Sequence, residues 1–153
     1  MTATRNRAAI GDAFSVQTEC GDCRYQYVQK SKTFGQLISV LSSDDPSNDL
    51  ALCQRLFEIF FPVSAAAKEA DVVYLGNFDV PPVYKNPMIL KYPVRRLSDN
   101  SIKSWVITDG EKIRRASSLS PEEQGYPYAF AVNIDELRRL FCLRWNVTQP
   151  YPE

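Results

Sequence analysis

The 153-residue chain contains no histidine. That absence removes the usual general base, the Ser-His and Cys-His nucleophile pairs, and the commonest metal ligand. Glycine is scarce, at six residues, and no run of them forms the loop that cradles a phosphate. No apolar stretch approaches the roughly 20 residues that a membrane-spanning helix needs. Charge of one sign is missing too: eighteen basic and eighteen acidic residues cancel. No global field therefore draws the chain to nucleic acid or to an anionic membrane. These gaps lead to the expectation of a protein that is not an enzyme, holds no cofactor or metal, leaves membranes alone and does not act on nucleic acid. The opening Met-Thr-Ala-Thr-Arg-Asn-Arg lacks the apolar core of a signal peptide, which implies a cytoplasmic protein with its four cysteines reduced.

What is present is an ordinary globular composition, 44% apolar and 12% aromatic, in a length that suits one domain over residues 1–153. The organising stretch is 10–41. Phe14 and Val16 share one parity of a first strand, with Ala13, Ser15 and Gln17 on the other. Tyr25 and Tyr27 alternate with Arg24, Gln26 and Val28 in a second strand, which implies one face that is partly wet. Phe34 to Leu41, apolar on both parities near its end, reads as a buried third strand. Between the first two lies Cys20-Gly-Asp-Cys23, with Gly21-Asp22 expected as a two-residue turn. As a redox motif this pair should start a helix, and as a zinc site it lacks two partners at metal spacing, so chance hairpin cysteines are the simpler reading.

Downstream, Leu50 to Phe61 matches both a helical face and an alternating strand. The sequence favours a helical turn near Asn48–Gln54 that gives way to a strand over about Leu56–Val63. A short helix within Ser64–Ala70 and a strand over Val72–Phe78 follow. Four prolines within 79–93 predict a stiff connection between two lobes. Ser104–Thr108 and Lys112–Ala116 form a hairpin around Asp109-Gly110. Ser120-Pro-Glu-Glu123 is the start of a one-turn helix, and Asn133 caps a longer one whose Ile134, Leu137, Leu140 and Phe141 share a face. Residues 1–9 and 148–153 read as loose tails. The sum is an α+β fold, mainly antiparallel, with a curved or barrel-like sheet and a C-terminal helix.

The Gly11-Asp12-hydrophobic-Phe14 opening, the short turn, the Tyr-rich second strand and the third strand running into an acidic loop resemble the immunity protein 26 family of bacterial polymorphic-toxin systems. Val72-Val-Tyr-Leu-Gly-Asn-Phe78 is similar to a later strand of that family, which usually carries Trp where Tyr74 stands, and Trp105 to Gly110 resembles a third patch. The resemblance implies a non-catalytic protein that occludes a cognate toxin. A second reading is a small nucleic-acid-binding or regulatory module on a Gly-Asp-opening barrel.

Charge is uneven along the chain. From Ser42 to Val80 seven acids face two bases, whereas from Lys91 to Arg115 seven bases face three acids. If the chain occludes a toxin, Asp44, Asp45 and Asp49 would steer it to a basic groove, with the alternative of an ordinary solvated loop. Tyr25 and Tyr27, with Tyr126, Tyr128 and Tyr151, are candidate interface anchors, or else sheet and core residues. Lys112, Arg114 and Arg115 beside Trp105 read more simply as a charged strand edge than as a nucleic-acid patch. The sequence leaves the oligomeric state open.

Overall fold

A computed structural model describes residues 7–42, 50 and 53–152 of the chain. The architecture is α+β, and the described residues form eight strands in two antiparallel sheets. The first sheet comprises β1 (Asp12–Thr18), β2 (Gly21–Ser31), β3 (Gly35–Leu41), β4 (Arg55–Phe60) and β5 (Val72–Asn77), in the order β4-β3-β2-β1-β5. The second holds β6 (Leu90–Arg95), β7 (Ile102–Thr108) and β8 (Ile113–Ala116) in chain order. Among the described residues there are three short α-helices, α1 (Val63–Ala66), α2 (Pro121–Gln124) and α3 (Ile134–Cys142), the last two opening at the Ser120 and Asn133 caps. No helix among the described residues is long and apolar enough to cross a membrane.

The alternation in β1 to β3 places two apolar layers on opposite faces. Phe14, Val16, Tyr25, Tyr27, Ile38 and Val40 pack under α3, against Leu137, Leu140 and Phe141. On the reverse face, Val28 and Leu37 meet Phe60, Leu90 and the 3-10 turn at Pro82–Lys85 through Tyr84. Leu90 belongs to the second sheet, so the two sheets share this layer. The expectation of a partly wet face on β2 holds at Arg24, which is half-buried, and fails beyond it: Gln26 is buried along with Val28. Its amide compensates by donating to the carbonyls of Gly11, Phe78 and Asp79 and accepting from Arg55 Nη2 at 2.8 Å.

The Gly-Asp opening has a structural explanation. Gly11 sits at φ +97°, where a Cβ would come within 2.8 Å of the Phe78 carbonyl. Asp12 is fully buried and accepts from Ala9 N, Tyr74 OH and Asn77 Nδ2 at 2.9, 3.2 and 3.0 Å. Two of the patches behind the family resemblance therefore meet in one network that fixes β1 to β5.

Several boundaries move. Thr18 pairs with Gly21, so the first turn is Glu19-Cys20, two residues before the expected Gly-Asp, and Gly21 takes the left-handed position at φ +108°. Asp109-Gly110 belongs to a four-residue loop, since Thr108 pairs with Ile113 and the Asp109 carboxylate receives the amides of Glu111 and Lys112. The ambiguous stretch resolves as strand over Arg55–Phe60, and of the expected preceding turn only Leu50 and 53–54 are described. The proline-rich connection gives way to β6 as early as Leu90, with Pro93 inside the strand. The C-terminal tail is ordered to residue 152: Trp145 Nε1 donates to Pro150 O and Arg139 to Pro152 O.

The largest departure is covalent. Cys20 and Cys142, expected to be reduced and unpaired, form a disulfide with Cα atoms 5.5 Å apart. Their 122-residue separation hides the pairing from any spacing argument, because only the packing of α3 beside the first turn brings them together. Cys23 and Cys53 are buried.

Removing the Leu137 side chain, which is fully buried under the first sheet, should cost about 2–5 kcal/mol in chemical denaturation. Tyr25→Phe should be neutral or stabilising, because the Tyr25 hydroxyl is buried with no hydrogen-bond partner among the described residues. A loss above about 1 kcal/mol for Tyr25→Phe would reveal a partner for that hydroxyl.

Candidate binding cleft

A concavity of about 910 Å³ opens where the two sheets meet. Its origin is legible in one residue. On the outer edge of β6, Lys91 N donates to Pro127 O and Lys91 O accepts from Ala129 N, starting a parallel ladder with the segment 127–129. The next residue of the same orientation on β6 is Pro93, which has no N–H to extend that ladder. Its missing donor costs nothing against β7, because it points away from that strand. Pairing therefore stops after one bridge. The segment leaves β6 and crosses to β4, where Ala131 bridges Phe60 and Val132 N donates to Phe60 O. The two backbones splay and the cleft lies between them.

One wall is formed by Tyr92, Pro93 and Arg95 of β6 with Thr108 and Ile113 of the neighbouring strands. The other holds Tyr128 to Asn133, Glu136 of α3 and Tyr151, while Thr33 and Phe34 of the β2–β3 turn close one end. The aromatic side is firmly built: Tyr128, Phe130 and Tyr151 lie within 5.1–5.9 Å of one another, centroid to centroid. Tyr151 is fixed by its hydroxyl, which donates to Glu136 Oε2 at 2.5 Å. Arg139 grips the same carboxylate at 2.5 and 3.1 Å and, with Tyr151, holds its pKa below the ordinary range. Burial and that neighbouring carboxylate push the Tyr151 phenol up. Arg95, on the opposite wall, donates to Asn100 O at 2.9 Å.

Behind Tyr128 sits the most unusual group in the fold. Lys91 is only 2% exposed, and its ammonium lies 4.7 Å from the Tyr128 centroid and 5.9 Å from that of Trp105. Nζ donates to Gln124 O at 2.5 Å and Val147 O at 2.7 Å. The lysine thus joins β6, the end of α2 and the C-terminal segment, and supports the cleft wall from behind. Desolvation lowers its pKa to about 8.

The site residues read from sequence are distributed otherwise. Tyr25 and Tyr27 are core residues, 0% and 3% exposed, and do not reach a surface on which a partner could dock. Asp44, Asp45 and Asp49 lie outside the described residues. Other acids of that stretch are already engaged, Glu58 with Tyr84 OH and Asp71 with Arg138. Of the basic run, Arg114 pairs with Glu123, whose carboxyl also caps Ser120 N, and Arg115 is exposed. Tyr128 and Tyr151 line the cleft, whereas Tyr126 borders a different depression beside Ile113. Tyr92, Phe130 and Arg95 were missed as site residues. The dense Tyr126-Pro-Tyr-Ala-Phe130 run was the available signal for Phe130, whereas Tyr92 and Arg95 join it only through the packing of β6.

No family model matches the chain, and neither a curated protein nor a solved structure matches it.

Lys91 gives the cleft a pH signature. Its folded pKa, about 8, lies below the 10.5 of a free lysine, so between these values the unfolded chain binds more protons. The Lys91 contribution to stability should therefore rise as pH climbs from about 8 to 10.5, by up to about 3 kcal/mol. Lys91→Met should lack that rise. Buried Tyr25, Tyr84 and Cys23, whose pKa values are raised, act in the opposite sense at high pH but in both proteins alike, so the difference between the two stability curves isolates the lysine. A difference that stays flat across this window contradicts the assignment.

Proposed function

We propose that the protein binds another protein through this cleft and, as the family resemblance implies, neutralises a cognate bacterial toxin by occlusion. The observation that carries the reading is the cleft itself: an open, aromatic-walled recess held in shape by Lys91 and by the Glu136, Arg139 and Tyr151 contacts. A rigid recess with an apolar floor and polar groups at its rim suits an anchor side chain from a partner, since little ordering entropy remains to be lost on binding. Several of its polar side chains are already satisfied within the protein, which favours shape and apolar contact as the source of affinity. Asp44, Asp45 and Asp49 would add steering, raising the association rate with a basic partner.

The test requires a cognate toxin, to be sought as the C-terminal domain of a large reading frame upstream of this chain's gene. Ala131→Arg and Ile113→Asp alter exposed residues of the cleft lining, so the fold should persist by circular dichroism. Each should weaken toxin binding at least about tenfold, equivalent to about 1.4 kcal/mol. Val83→Asp, exposed and outside the cleft, should leave it unchanged. Converting Asp44, Asp45 and Asp49 together to Lys should slow association more than it speeds dissociation. Full binding by both cleft variants sinks the assignment of this surface.

A further inference from the structure

The Cys20–Cys142 disulfide joins the turn after β1 to the last residue of α3. It lies beyond the cleft, yet the chain that follows Cys142 leads straight into the cleft wall. Arg144 N donates to Phe141 O and Trp145 N to Leu140 O, closing the helix, with Arg144 at φ +55°. Trp145 then packs 5.6 Å from Tyr151 and holds Pro150 through its indole N–H. The same helix supplies Glu136 and Arg139, which fix Tyr151 and Pro152.

The disulfide is not what holds α3 on the sheet. Leu137, Leu140 and Phe141 are buried in the main core, and Arg138 donates to Gln17 O at 3.1 Å and pairs with Asp71. Cys20, in contrast, is exposed at a turn, and Cys142 is half-buried. A cross-link that is accessible, and whose helix is independently anchored, can open without unfolding the sheet. We infer that Cys20–Cys142 is a redox clasp on the end of α3 that sets how firmly the C-terminal wall of the cleft is held. The clasp stands on its own geometry, while its consequence for a partner rests on the proposed function.

The chemistry balances with a low-molecular-weight thiol as reductant. Its thiolate attacks the exposed Cys20 sulfur, the S–S bond breaks, and Cys142 leaves as a thiolate that takes up a proton. A second reductant thiolate attacks the mixed disulfide, freeing Cys20 as a thiolate that is protonated in turn. Two electrons pass to the protein, and the reductant departs as its own disulfide. An oxidising compartment closes the clasp and a reducing one opens it.

The experiment equilibrates the full chain in graded reduced and oxidised glutathione, without any partner. Peptide mapping after alkylation follows the cysteine pair, and amide hydrogen exchange reads 143–152, 128–133 and β1 to β3 separately. The expected result is a Cys20–Cys142 linkage in the oxidised protein. On reduction, exchange in 143–152 should accelerate at least about tenfold while β2 and β3 stay protected. Cys20→Ser with Cys142→Ser should behave like the reduced protein in every buffer, and Cys23→Ser like the wild type. Absence of the linkage overturns the clasp, as does unchanged exchange on reduction. Equal loss of protection in β2 and β3 also overturns it, since the bond would then be a staple for the whole fold. Because no readout involves a toxin, failure of the immunity reading leaves this result standing.

Discussion

A buried ammonium that meets no carboxylate among the described residues organises the junction of the two sheets. Lys91 sits on the edge of β6, and its charge is met by two backbone carbonyls and two aromatic rings. Burying an unpaired charge is costly, and oriented carbonyls return only part of its hydration. The arrangement persists because the acceptors, Gln124 O and Val147 O, come from segments that must converge at this point. The lysine thereby specifies where the end of α2 and the C-terminal segment lie relative to β6. Tyr128, packed on the ammonium, inherits its position, and with it the wall of the cleft.

The cleft is a consequence of a ladder that cannot continue. Strand edges usually invite pairing, and the parallel start at Lys91 and Tyr128 shows that this one does. Pro93 withholds the next donor, so the segment turns away to β4 and ties the edges of two sheets with single bridges. A recess built from diverging backbones keeps its width without a loop that must be ordered. Its aromatic side is stabilised by ring packing and by the Glu136 carboxylate that Tyr151 and Arg139 share. The same connectivity runs from the recess through Trp145 to Cys142, which is why a covalent bond on the far side of α3 bears on it.

Two features that look functional in the sequence turn out to be architectural. Gly11-Asp12 serves the network that binds β1 to β5, where the glycine is required by its conformation and by its approach to Phe78 O. The tyrosines of β2 fill the core beneath α3. A resemblance carried by such residues speaks first to how the strands are assembled, and the family's activity follows only as a proposal.

Local patterns sufficed for much of the fold. Two-residue alternation marked β1 to β3, the Ser120 and Asn133 caps marked α2 and α3, and the face of Leu137, Leu140 and Phe141 marked what α3 buries. These are decided within a few residues of chain, so the sequence determined them by itself. What it left open depends on partners distant in the chain. Whether Gln26 is wet or buried, whether Pro93 interrupts a strand or merely its outer edge, and whether Tyr151 is tail or wall are settled only when a second segment packs against each. Cys20 and Cys142 are the extreme case, since no local rule relates residues at the two ends of a fold. Tertiary structure decided the cleft for the same reason: it exists between segments, and neither segment alone encodes the gap.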